Sequence, residues 1–172
     1  MKIKYLLASL ALVAGTAQAN TISTIVNVTP SQSVQYINFN VTSAGSFDIT
    51  ASDLSPFEAD PYMILFSAPL NAGNFIESDD DSGSNDDAFI DRNLGLGSYI
   101  LAVSESILSL SEALNGYNGS VNSSNDGRYE ITIYSKHGEA SFGNPSAVPV
   151  PAAAWLFGSA LMGFVGFRRK SI

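Results

Sequence analysis

The strongest constraint on this chain is a succession of short β-patterned runs, each closed by Gly, Asn, Asp, Ser or Pro. Alternation of apolar and polar residues puts one set on a buried face of a strand. Ile22–Val28 is the first run. In Val34–Val41, Ile37, Phe39 and Val41 share one face and Asn38 and Asn40 the other. Phe47 and Ile49 alternate with Asp48 and Thr50 after a turn at Ala44-Gly45. Tyr62–Phe66 is apolar on both faces, which predicts a strand inside a sheet. Asn74–Glu77 and Ala88–Arg92 are short. Tyr99, Leu101 and Val103 alternate, as do Tyr129, Ile131 and Ile133. About eight strands separated by turns predict an all-β, antiparallel sandwich. Residues 105–127 break the pattern: Ile107, Leu108, Leu110 and Leu114 fit one short helical turn, and 115–127 reads as a polar loop. There is no internal repeat.

The two ends have a different character. Residues 1–19 combine Lys2 and Lys4, an apolar run from Leu6 to Ala14, and Ala17-Gln18-Ala19. A basic start, a short apolar stretch and small residues at the cleavage positions make a secretory signal, cut by signal peptidase before Asn20. At the other end, Ala152–Phe167 is uncharged and Arg168, Arg169 and Lys170 follow it. Basic residues beside an apolar span stay on the cytoplasmic side. The expected organisation is therefore a signal peptide at 1–19, a β-sandwich at 20–147 and a tail at 148–172 with a transmembrane helix at 152–167. The chain would pass through the inner membrane and stay transiently anchored there.

That tail resembles the PEP-CTERM sorting signal of Gram-negative bacteria. The carrying residues are Val148-Pro149-Val150-Pro151, then Ala152-Ala153-Ala154-Trp155-Leu156-Phe157-Gly158-Ser159, then the basic cluster 168–170. The name-giving motif has Glu between the prolines, and Val150 stands there in this chain. The resemblance implies processing by an exosortase-type enzyme near the prolines. The domain would then go to the cell surface or its exopolysaccharide, much as a GPI signal loses its apolar tail. The middle resembles bacterial pre-peptidase C-terminal domains across residues 34–134. That likeness is carried by Phe39-Asn40-Val41 with Gly45, Asp60-Pro61-Tyr62-Met63-Ile64-Leu65-Phe66, Asp79-Asp80-Asp81, the Ile90 strand and Leu96–Val103. It implies a jelly-roll-like sandwich and a non-catalytic accessory role.

Charge excludes several function classes. Sixteen acids are all in the middle segment, with only Arg92, Arg128 and Lys136 as bases there. Nucleic-acid binding needs a basic face to neutralise phosphate, so no nucleic-acid partner is expected. With no cysteine and one histidine, thiolate chemistry and multi-histidine metal sites are absent. No G-x-S-x-G elbow accompanies His137, and nothing in the spacing places two carboxylates across a cleft for glycoside hydrolysis. No enzymatic activity is expected.

The conspicuous local feature is the run from Glu77 to Asp87, with six carboxylates. Ca²⁺ takes six to eight oxygen ligands in flexible geometry, which suits such a loop. The candidate ligands are Asp79, Asp81, Asp86 and Asp87, with Asp60 as an additional contributor. The run does not follow the EF-hand or nonapeptide-repeat templates. A solvated acidic loop that aids solubility is the competing reading. Tyr36, Tyr62, Tyr99, Tyr117, Tyr129 and Tyr134 fit either sheet packing or a carbohydrate platform. Four Asn-x-Ser/Thr sequons begin at Asn27, Asn40, Asn118 and Asn122. The expected function is a non-catalytic structural or adhesive component of the bacterial surface or biofilm matrix. The alternative is a Ca²⁺-dependent carbohydrate- or protein-binding module.

Overall fold

A computed structural model describes residues 19–56, 59–121 and 126–143. It is an all-β sandwich of two antiparallel sheets. The strands are β1 (Asn20–Val28), β2 (Gln35–Ser43), β3 (Gly45–Asp53), β4 (Pro61–Ser67), β5 (Phe75–Asp79), β6 (Ala88–Leu94), β7 (Gly97–Glu105), β8 (Gly127–Ser135) and β9 (Glu139–Phe142). Among the described residues one α-helix, α1 (Leu110–Asn115), and a short 3-10 turn at Ala72–Asn74 interrupt them. All eight runs expected from the sequence form strands. The ninth, Glu-Ala-Ser-Phe, was not expected, because four residues are too few to display an alternation. Residues 1–18 of the expected signal peptide, the sorting motif at 148–151, the span at 152–167 and the basic cluster lie outside the described residues. Among those described, no helix is long and apolar enough to cross a membrane.

The four-stranded sheet runs β1-β8-β3-β6 and the five-stranded sheet runs β5-β4-β7-β2-β9. β1 pairs with β8, β2 with β7, β3 with β6 and β4 with β5. The chain is thus one long antiparallel ribbon, with the β4–β5 hairpin at its tip, rolled so that alternate strands enter opposite sheets. This is jelly-roll topology, extended by β9 on the β2 edge. Every connection except β4–β5 crosses between the sheets. Consequently 29–34, 54–56 with 59–60, 80–87, and 106–121 with 126 gather at one end of the sandwich, and the other connections at the opposite end.

Inward-facing residues of both sheets form the main core. Phe39, Phe47, Ile49, Met63, Leu65, Leu101, Tyr129 and Ile131 are completely buried there. Burying one such side chain contributes roughly 1.5–3 kcal/mol. Phe39 and Tyr99 lie directly opposite each other on β2 and β7 and stack with ring centroids 5.4 Å apart. Gly138 lets the β8–β9 turn close over Phe47, because a Cβ there would lie 2.6 Å from the ring.

A second apolar cluster explains why Tyr62–Phe66 reads as apolar on both faces. Met63 and Leu65 face the main core. Ile64 and Phe66 point outward with Ala102, against Val34, Leu108 and Ala113. The first part of the excursion after β7, through Leu108 and Ala113, therefore covers the outer face of the five-stranded sheet. Its helix is fixed by a capping box: Glu112 N–H donates to Ser109 Oγ at 3.3 Å and Ser109 N–H to Glu112 Oε2 at 2.9 Å. Asn118 secures the return. Only 1% exposed, it donates to Ser104 Oγ at 2.9 Å and to the Ile107 carbonyl at 3.1 Å.

Candidate functional site

The roll topology makes one end of the sandwich an acidic pole. Asp53, Asp60, Asp79–Asp81, Asp86, Asp87, Glu105 and Asp126 lie in, or next to, the four connections gathered there. Arg128 is the basic residue nearest in sequence to these connections. The one ion pair among the described residues, Arg92–Glu77 at 3.5 Å, joins β6 to β5 along the side of the sandwich.

Some of these acids organise backbone. Asp79 ends β5, and its Oδ2 accepts from the N–H groups of Ser82 at 3.1 Å and Phe89 at 2.7 Å. Its Oδ1 accepts from Ser82 Oγ at 2.6 Å. Asp87 Oδ1 accepts from Asp53 N–H at 3.0 Å, tying the β5–β6 connection to β3. Asp53 holds the next connection through Ser55 N–H at 2.8 Å and Ala59 N–H at 3.0 Å. The acidic loop then closes on itself, with Gly83 N–H donating to the Asp87 carbonyl at 2.8 Å. A Cβ at Gly83 would lie 2.4 Å from that carbonyl oxygen, so only glycine fits. Asn85 and Asp86 complete the turn at φ 58° and 60°, a conformation that Asn and Asp adopt more readily than most residues.

The remaining acids are left to face one another. Carboxylate oxygens of Asp60, Asp80 and Asp81 lie within 4.8 Å of one another. Asp60 and Asp81 are exposed and Asp80 is half-buried. Asp80 Oδ1 is inaccessible and has no hydrogen-bond partner. Burial, then the charges of Asp60, Asp81 and Asp79, push the Asp80 carboxyl up to about 6. Burial raises Asp60 as well, followed by Asp81 and Asp86. Asp60, Asp81, Asn85 and Asp86, with Asp53 and Ala59, line an open cleft of about 420 Å³.

The pole continues behind this cleft. Glu105, at the end of β7, is raised by burial and then by Asp126, Asp53 and Asp60, and its Oε2 is buried without a partner. Tyr129 is 0% exposed, and its hydroxyl likewise has no partner. Burial drives that phenol upward, with Glu105, Asp53 and Asp60 adding to the effect.

Of the ligands expected from sequence, Asp81 and Asp86 reach the cleft together with Asp60, whereas Asp79 and Asp87 spend oxygens on backbone N–H groups. Asp80 stood inside the expected run but outside the expected set. Glu105, Asp126 and Tyr129 were missed, because only the roll brings them to this end. His137 is exposed at the opposite end, in the β8–β9 turn. Tyr99 and Tyr129 are buried, so they contribute to packing and leave only the other tyrosines to any surface platform. Asn40 and Asn118 are buried sequons, whereas Asn27 is exposed. Asn122 lies outside the described residues.

The arrangement can bind a cation. Unpaired carboxylate oxygens at this separation repel one another, most strongly at the half-buried Asp80, and a divalent ion reverses the sign of that interaction. Hard carboxylate oxygens in an open, irregular arrangement suit Ca²⁺ better than the stricter octahedron of Mg²⁺.

No protein-family model matches the sequence, and no curated protein is similar to it. Among solved structures, the chain is similar to the pre-peptidase C-terminal domain of a collagenase from Bacillus anthracis. The TM-score is 0.45 and the identity 18%, over 67% of this chain and 89% of that one.

Proposed function

We propose that this chain is an exported, non-catalytic jelly-roll module of the bacterial surface or extracellular matrix, whose acidic pole takes up Ca²⁺. The observation that carries the cation is the trio Asp60, Asp80 and Asp81, with its unpartnered, inaccessible Asp80 oxygen. A native protein rarely leaves such an atom unsatisfied without an ion, a water or a role for it. Asp86 and Asn85 supply further oxygens at the rim, and Asp79 and Asp87 hold the loop in the shape that presents Asp80 and Asp81. Export and sorting rest on the ordered signals at the two ends, including the PEP-CTERM-like tail. A pre-peptidase C-terminal-like accessory role accords with the sequence resemblance over 34–134.

Isothermal calorimetry of the 20–143 segment tests the cation. Both sheets and both apolar clusters are complete within that segment. Ca²⁺ should bind with one saturable transition that EDTA reverses, and no heat at millimolar Ca²⁺ overturns the reading. Mass spectrometry of the mature protein tests the sorting: ends near Asn20 and near 148–151 are expected, and an intact Ile172 refutes it. The second reading, a Ca²⁺-dependent carbohydrate- or protein-binding module, is favoured by the open cleft beside the trio. Glycan-array binding that EDTA abolishes would establish it.

A further inference from the structure

Each sheet has two edge strands, and three of the four are blunted. β5 is five residues long, carries Glu77 and Asp79, and shifts register against β4 between Leu65 and Phe66. β6 carries Asp91 and Arg92, and the latter bridges to Glu77. β9 has four residues, begins with Glu139 and shifts register against β2 between Val41 and Ser43. Short length, charge and bulges are the devices that stop a sheet edge from pairing with another chain.

β1 has none of them, and among the described residues its tie to the other sheet's edge is at its start, where Asn20 Oδ1 accepts from Ala140 N–H of β9 at 2.9 Å. Asn-Thr-Ile-Ser-Thr-Ile-Val-Asn-Val is nine residues long, without charge or proline, and pairs with β8 in unbroken register from Asn20 to Val28. Its β-branched content suits an extended, half-covered strand. Ile25 remains 47% exposed, and Ile22 and Val26 are only partly buried at the margin of the main core. Among the described residues, β8 is the only strand paired with β1.

We propose that β1 is a homodimerisation edge, pairing antiparallel with β1 of a second copy about a two-fold axis through Thr24. The pairing joins two four-stranded sheets into one continuous sheet. In this register Ile22 lies opposite Val26 of the other copy twice over, and Ser23 opposite Ile25, so no charge is placed across the seam. Electrostatics favour this orientation. β1 runs toward the acidic pole, so an antiparallel pair sends the two poles to opposite ends of the dimer, where repulsion between them is least. The contact is isologous and uses each copy's one unblunted edge, so assembly stops at two. The competing occupant within the chain is the segment after β9. It contains Pro145, Pro149 and Pro151, which lack the N–H groups that a ladder needs.

Sedimentation and disulfide trapping test this with the 20–143 segment. Dimer is expected at about 100 μM protein, a level that detects affinities of that order. The chain has no native cysteine, so Thr24→Cys should cross-link on mild oxidation. Thr21→Cys should not, because its two copies would be six strand positions apart, about 20 Å. Thr24→Lys sets like charges face to face and should weaken dimerisation at least tenfold while circular dichroism stays unchanged. If that variant fails to fold, Ile25→Lys at the exposed position serves in its place. A monomer at about 100 μM overturns the proposal. So does a dimer that neither cross-links at 24 nor responds to lysine. A 20–151 segment that is monomeric while 20–143 dimerises would assign the edge to the proline segment instead. None of these outcomes depends on Ca²⁺ binding, so the two proposals fail separately.

Discussion

Asn at position 80 should change the sign of its effect on stability when Ca²⁺ is added. Without the ion, Asp80 faces Asp60, Asp81 and Asp79 with one inaccessible, unpartnered oxygen. Its carboxyl titrates at about 6 in the folded protein, against an ordinary 3.8. A carboxyl raised in this way favours the folded state while protonated. That contribution is complete below 3.8 and is lost as pH rises through about 6. At face value the gap corresponds to about 3 kcal/mol. Screening at a partly exposed side chain reduces it to about 1 kcal/mol. Asp80→Asn removes the ionised form, so in EDTA at pH 7 it should stabilise by about 1 kcal/mol, or about 4 °C in Tm for a domain of this size. At pH 4 the gain should vanish. With Ca²⁺ at a hundred times its Kd, the native protein gains about 2.7 kcal/mol, whereas a variant bound a hundredfold more weakly gains about 0.4 kcal/mol. The native protein should then be the more stable of the two. Scanning calorimetry of both proteins, in EDTA and in Ca²⁺ at pH 7 and pH 4, makes the comparison. If Asp80→Asn lowers Tm in EDTA at pH 7, the carboxylate is a satisfied structural group and the electrostatic reasoning fails. If Ca²⁺ raises both proteins equally, the ion does not bind at Asp80.

Tyr129→Phe should leave stability unchanged or raise it by about 1 kcal/mol in urea melts without Ca²⁺, because it deletes a buried hydroxyl that has no partner; a loss of that size would reveal a bond not seen here. Phe66→Ala should cost about 4 kcal/mol by emptying the cluster beneath the β7–β8 excursion. It should also speed proteolysis within 106–126 relative to an equally destabilised main-core variant, and equal rates would mean that Phe66 does not hold the excursion down.

The sheets were legible because alternation writes burial directly into the residue order. In β8, Tyr129, Ile131 and Ile133 are buried and Arg128 and Tyr134 exposed, as the pattern required. Tyr62–Phe66 was read correctly as an interior strand, but nothing local could say what covered its second face. That cover comes from Leu108 and Ala113, about forty residues further on, through contacts that no periodicity encodes. β9 escaped notice because its pairing depends on an edge supplied by β2 and on the Gly138 turn. The site was half legible for a similar reason. A cluster of six acids in sequence identifies a loop, but the side chains that face one another are chosen by the turn. Asp79 and Asp87 looked like ligands and instead accept backbone N–H bonds.

The same topology that hid part of the site also accounts for its existence. A rolled ribbon sends every second connection to the same end, so acids at 53, 60, 79–87, 105 and 126, scattered over more than seventy residues, become neighbours. Such a concentration opposes folding unless something offsets it, and the bases available inside the domain are three, one of which is committed to Glu77. The sandwich could have dispersed this charge at little cost, since surface acids away from the pole cost almost nothing. Burial first, and then the neighbouring acids, raise the carboxyls of Asp60, Asp80 and Glu105 together, so the concentration adds to a penalty that burial already sets. A bound divalent cation, as proposed, would convert that penalty into a stabilising contribution that exists only where the ion is plentiful. If the chain is exported as proposed, this would make the closed pole, in a chain without disulfides, a property of the medium around it.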